Sequence, residues 1–183
     1  MAKYGFSTAS CTGETADKNS QENHLRVLTA GAKSSILGST ELSFGMSALV
    51  AYIDGGSLGN PGPSGIGVVI GGASHETLRI SKWIGWQDNN VAEYTALLEA
   101  LQCAVLLNAR ELHVYSDSEV VVKQMTGVYA CRSPRLYSLN WTCRKLARCL
   151  KFSISHVSRE HNTEANRLAN FAARKRERPL PVT

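Results

Sequence analysis

Three carboxylates stand where one fold could gather them: Asp54 in YIDGG, Glu93 in NNVAEY and Asp117 in VYSDSE. Asp54 closes an apolar, β-rich run, ALVAYID, and Asp117 closes a second, LHVYSD. Glu93 is expected in the first turn of a long helix. If the two strands are neighbours, both Asp side chains emerge at one end of a sheet, where open α/β sheets place their sites. Carboxylates brought together repel one another and need a cation to be tolerated. Hard oxygen ligands without nearby Cys or clustered His favour Mg²⁺ or Mn²⁺ over zinc. Taken singly, each residue also has a structural explanation: a turn at Asp54, a helix-dipole partner at Glu93, the approach to a capped helix at Asp117. Their joint placement beside a Gly- and Asn-rich loop, GGSLGN, favours chemistry.

Periodicity supplies the elements that must position these groups. ALVAYID, IGVVIGG and TLRISKWIG read as three strands, and their short links favour antiparallel hairpins. GGSLGNPGPSG, between the first two, is dense in turn residues. Residues 89–109 place apolar side chains at 97, 98, 101, 105 and 106, the pattern of a helix buried on one wide face. LHVYSD is a fourth strand, and SEVVVKQM starts a short helix capped by Ser118. A helix over 135–150, the strand FSISHV and a last helix from 162 complete the chain. The order βββαβααβα describes an α/β domain with a mixed sheet.

The 183 residues suit one domain, and 43% hydrophobic with 19% charged residues is ordinary for a globular protein. Net charge is +5 and unevenly placed. Residues 1–46 hold four basic and four acidic residues, whereas 47–183 hold 16 against 11. A basic domain suits a polyanionic partner. The five cysteines are odd in number and form no CxxC pair, so neither a disulfide framework nor a zinc site is expected. Such thiols suit a reducing, cytoplasmic setting. No apolar run reaches the roughly 18 residues of a membrane span, and the N-terminus lacks a secretory apolar core, so no membrane partner is expected. Residues 1–46 read as a flexible N-terminal extension with a short helix near 24–30. Residues 47–183 read as the folded domain, ending in a basic tail.

Four separated segments carry a family resemblance. YIDGGSLGNPGPSGIGVV, NNVAEYTALLEAL, VYSDSEVVVKQM and HVSREHNTEANRLANFA resemble, in order and spacing, the motifs of type 1 ribonuclease H. The likeness spans roughly residues 47–176, three quarters of the chain. It implies a ribonuclease H-like five-stranded mixed sheet flanked by helices, acting as a monomer. It also implies a metal-dependent endoribonuclease that hydrolyses the RNA strand of an RNA–DNA hybrid, leaving 5′-phosphate and 3′-hydroxyl ends. Two Mg²⁺ or Mn²⁺ ions about 4 Å apart would bracket the scissile phosphate. Asp54, Glu93 and Asp117 match the first three catalytic, metal-binding carboxylates of that family. Asp54 matches the ligand shared between the ions, and Glu93 the group near the 2′-hydroxyl that separates RNA from DNA.

The fourth family carboxylate falls on Asn166, an amide. Its carbonyl oxygen can still ligate a hard cation, but the site loses one negative charge. Gly56, Ser57, Gly59 and Asn60 match substrate-contacting positions, as do Asn89 and Asn90, which could also serve as helix caps. Asp88 stands where many relatives use Thr against a DNA phosphate. A catalytic His of the family's flexible loop has candidates in His161 and in neighbouring Glu160, neither securely aligned. Two other readings remain open. One is a weakly active or inactive module that binds hybrid or double-stranded RNA. The other is a related nuclease acting on double-stranded RNA or in a reverse-transcribing element.

Overall fold

Leu49, Ala51 and Ile53 alternate into the core from β1 (Ala48–Ser57), each at most 1% exposed, with Val50 between them 41% exposed. This is the period-two pattern of a strand with one buried face. The computed structural model describes residues 48–73 and 75–175. The expected extension 1–46, its short helix and most of the basic tail lie outside the described residues.

β1 pairs antiparallel with β2 (Gly62–Gly72), and β2 with β3 (His75–Gln87). Helix α1 (Asn89–Leu106) then crosses to β4 (Glu111–Ser116), which lies parallel to β1 on its other side. Helices α2 (Glu119–Thr126) and α3 (Pro134–Ala147) lead to β5 (Lys151–His156), parallel to β4. A short 3₁₀ turn (Arg159–His161) introduces the last helix, α4 (Thr163–Arg174). The sheet order is β3-β2-β1-β4-β5, five strands of mixed direction with four α-helices, as expected. Tyr94, Leu97, Leu101 and Ala104 of α1 meet the β1 and β4 side chains in one apolar cluster. Leu106, counted with the buried face from sequence, is 57% exposed because the helix ends there.

The turn-rich segment differs from its sequence reading. Gly55–Ser57 and Gly62–Gly65 belong to the strands, and only residues 58–61 form the loop. Most of the strand glycines serve close packing, Gly56 excepted. A Cβ on Gly55 would sit 2.1 Å from the Ala92 carbonyl carbon and 2.2 Å from the Glu93 nitrogen. A Cβ on Gly67 would meet the Ala165 carbonyl oxygen at 2.0 Å. The missing side chains let α1 and α4 press onto the sheet beside the end of β1.

Candidate active site

Ile53 of β1 is in register with Ser116 of β4, so the residues that follow, Asp54 and Asp117, leave a parallel pair side by side. Asp54 does not end its strand, as expected from sequence, but lies within it; Asp117 follows β4 directly. Asp54 is 8% exposed. Burial pushes its carboxyl up to about 6, and the Asp117 charge and hydrogen bond push the same way, while Arg159 and Asn166 oppose them.

Glu93 is the fifth residue of α1, just past the first turn in which the sequence places it. Gly55 lets this turn of the helix approach β1. Asn89 Nδ2 donates to Glu93 Oε1 at 2.8 Å, and the Ser118 hydroxyl donates to Oε2 in a short bond. Burial raises the Glu93 carboxyl to about 7; the Ser118 bond opposes this, and the charges of Asp54 and Asp117 add to it. Both Glu93 oxygens are thus engaged, within reach of the Asp54 and Asp117 charges. Among the described residues, no three His, Cys, Asp or Glu side chains come close enough to hold one ion.

α4 brings the amides. Asn166 Nδ2 donates to Asp54 Oδ2 at 3.2 Å, while its Oδ1 accepts from Asn170 Nδ2 at 2.9 Å. Asn162, which the sequence reading did not single out, is 1% exposed. Its Nδ2 donates to the Ile53 carbonyl at 2.8 Å and to Asp117 Oδ1 at 2.9 Å. One side chain thus ties the middle of β1 and the residue after β4 to the start of α4. Its Oδ1 is buried with no hydrogen-bond partner. A signal was present, since residues four apart share a helix face and Asn162 is four before Asn166. Ser118 was read as a cap alone; it accepts from the Val121 nitrogen and holds Glu93 as well.

The β1–β2 loop lies against the start of α1. Asn60 Oδ1 accepts from the Asn89 backbone at 3.2 Å, and the Ser57 hydroxyl reaches the carbonyls of Gly59 and, at 3.0 Å, Gln87. Gly59 has φ +105°, a left-handed conformation that favours glycine. A Cβ on Gly56 would meet nothing within 4 Å. The cap of α1 is Asp88, not Asn89 or Asn90: it accepts from the Val91 nitrogen at 2.9 Å and pairs with Arg135 at 3.4 Å. Asn90 is exposed at the helix start. A cavity of about 420 Å³ lined by Pro61, Trp86, Gln87, Asp88, Val91 and Arg135 opens beside this cap, apart from the three carboxylates. His161 is exposed, with Nδ1 2.7 Å from Ser158 Oγ, and Glu160 is exposed next to it. No described helix is long and apolar enough to cross a membrane.

Residues 52–172 match the family model described as reverse transcriptase-like. The bifunctional protein Rv2228c of Mycobacterium tuberculosis is 42% identical over 127 residues, which cover 68% of this chain and 35% of that protein. The chain thus spans about a third of that relative's length. The crystal structure of RNase H1 from Halobacterium salinarum is similar with a TM-score of 0.65 and 36% identity, covering 68% of this chain and 96% of that one. LC11-RNase H1, solved in complex with an RNA/DNA hybrid, is similar with a TM-score of 0.65 and 38% identity, covering 69% and 97%. In sheet order, in helix placement and over two thirds of its sequence, the chain belongs to the ribonuclease H-like family.

Proposed function

We propose that the domain hydrolyses the RNA strand of RNA–DNA hybrids with Mg²⁺ or Mn²⁺, leaving 5′-phosphate and 3′-hydroxyl ends. The observation that carries this reading is the parallel register of β1 and β4, which sets Asp54 beside Asp117 at the carboxyl end of the sheet. The likeness to a ribonuclease H1 solved on a hybrid supports the substrate class.

The residues fit a hard divalent cation. Burial and mutual repulsion raise Asp54 to about 6 and Glu93 to about 7, and a cation beside them relieves that cost. The donors are oxygens, the ligand type of Mg²⁺ and Mn²⁺. Asp54 and Asp117 would hold two such ions, with Glu93 and the Asn166 carbonyl completing the set. When bound, the ions supply a water nucleophile at neutral pH and offset charge developing on the phosphate. The chain's own part is positioning. Asn162 fixes Asp117 against the middle of β1, and Ser118 with Asn89 fixes Glu93. Gly56 and the loop that follows offer backbone to the substrate, and Asn89 and Asn90 offer side-chain amides beside it. We assign His161 to proton transfer or product release from its exposed place just before α4. The free thiols at 103, 131, 143 and 149 suit the reducing cytoplasm in which we place the protein, as a monomer.

One observation favours a second reading, a weakly active or inactive hybrid-binding module: Asn166 presents its amide nitrogen, not an oxygen, to Asp54. Cleavage by the unaltered protein separates the two, and replacing Asp54 tests the site. We expect Asp54→Asn to abolish Mg²⁺-dependent hybrid cleavage and to leave hybrid binding in Ca²⁺ intact. Near-normal turnover by that variant would remove Asp54 from the site. Binding without cleavage by the unaltered protein selects the second reading.

A further inference from the structure

Residues 120–159 contain eight Lys and Arg and no Asp or Glu. Helix α3 lies within this stretch. It buries Leu136, Asn140 and Cys143, yet exposes Tyr137 by 65% and Trp141 by 56%. Lys145 follows at the same four-residue spacing, with Nζ 5.1 Å from the Trp141 ring centroid. Arg148, eleven residues after Tyr137, returns to the same side of the helix. Among the described residues, no carboxylate pairs with Lys145 or Arg148. Two exposed aromatic rings, one of them under the Lys145 ammonium, and two cations without a carboxylate partner therefore share one face.

An apolar protein partner would bury the rings and leave the cations unmatched. Nucleic acid satisfies both, because bases stack on aromatic faces and phosphates meet cations. Bases inside a duplex already stack on their neighbours, so exposed rings add most to an unpaired strand. At its start α3 approaches the α1 cap, where Arg135 pairs with Asp88, and Trp141 lies six residues further along, roughly 9 Å along the helix axis.

We infer that the outer face of α3 binds a single strand continuing from the hybrid, with unpaired bases stacked on Trp141 and Tyr137 and phosphates on Lys145 and Arg148. This rests on the proposed hybrid specificity. The test compares a short blunt hybrid with the same hybrid carrying a single-stranded extension, by fluorescence anisotropy in Ca²⁺. The extension should tighten binding by about tenfold, the contribution of one stacked base. Trp141→Ala combined with Tyr137→Ala should erase that gain, and Lys145→Glu should reduce it, while blunt-hybrid cleavage in Mg²⁺ keeps its rate. Equal affinity for the two duplexes, or a gain that survives the aromatic substitutions, overturns the inference. So does self-association that disappears in the same variants, which would assign the face to a second copy. Normal cleavage of the blunt hybrid with no extension effect leaves the proposed function standing and the inference fallen. An extension effect without cleavage does the reverse.

Discussion

Asn166 Nδ2 lies 3.2 Å from Asp54 Oδ2, so an amide of α4 donates to the most buried carboxylate of the site. A carboxylate at 166 would face Asp54 with like charge instead. We therefore expect Asn166→Asp to lower the melting temperature of the metal-free protein and to raise its divalent-ion affinity. A charge pair at about 4 Å is worth about 4 kcal/mol at an effective dielectric of 20, before desolvation. Even after that discount, half-maximal cleavage should shift to Mg²⁺ lower by about tenfold. Tight binding can slow turnover, so affinity is the informative quantity. Identical metal dependence in the two proteins would place Asn166 outside the site.

Metal-free protein should lose stability as pH rises from about 5 to 8. Asp54 and Glu93 bind protons more tightly folded than unfolded, with folded values raised to about 6 and about 7. Their contribution is fully present below the unfolded values near 4 and is lost as pH passes through the folded ones. In a chain of this size about 1 kcal/mol moves Tm by about 2–4 °C. Thermal melts in chelator should thus fall by several degrees across this range, less steeply in Asp54→Asn, and Mg²⁺ should restore Tm at pH 8. A metal-free Tm that rises steadily to pH 8, with the same slope in the variant, contradicts the buried-acid account.

Gly55 and Gly56 are adjacent but should respond oppositely to Ala. At Gly55 the new methyl meets α1 backbone at 2.1 Å, so the helix carrying Glu93 must move. We expect a loss of about 1–3 kcal/mol in urea unfolding, together with lost cleavage. At Gly56 the methyl enters open space. Stability should hold while KM for hybrid rises. A stable, fully active Gly55→Ala protein would show that α1 has room the structure does not indicate.

Strand alternation and helix periodicity made the βββαβααβα order legible, and the apolar runs ending near Asp54 and Asp117 pointed to the sheet end that holds both. What stayed hidden depends on contacts between distant segments. Asn162 looks like any polar residue before a helix; only folding brings it under Ile53 and Asp117. The glycines around the loop read as turn formers because composition does not distinguish a bend from a close approach. Asp88, Asn89 and Asn90 can all cap a helix; in the fold Asp88 Oδ1 accepts from the Val91 nitrogen while its Oδ2 meets Arg135, 47 residues away.

The central claim is tested most directly by a duplex panel. End-labelled RNA–DNA, RNA–RNA and DNA–DNA duplexes of one sequence are incubated with the full chain in Mg²⁺ and in Mn²⁺, with a chelator control. We predict cleavage of the RNA strand of the hybrid alone, dependent on the added cation and leaving 5′-phosphate ends. Cleavage of the DNA strand, equal cleavage of RNA–RNA, or hybrid cleavage that persists in chelator would contradict the account.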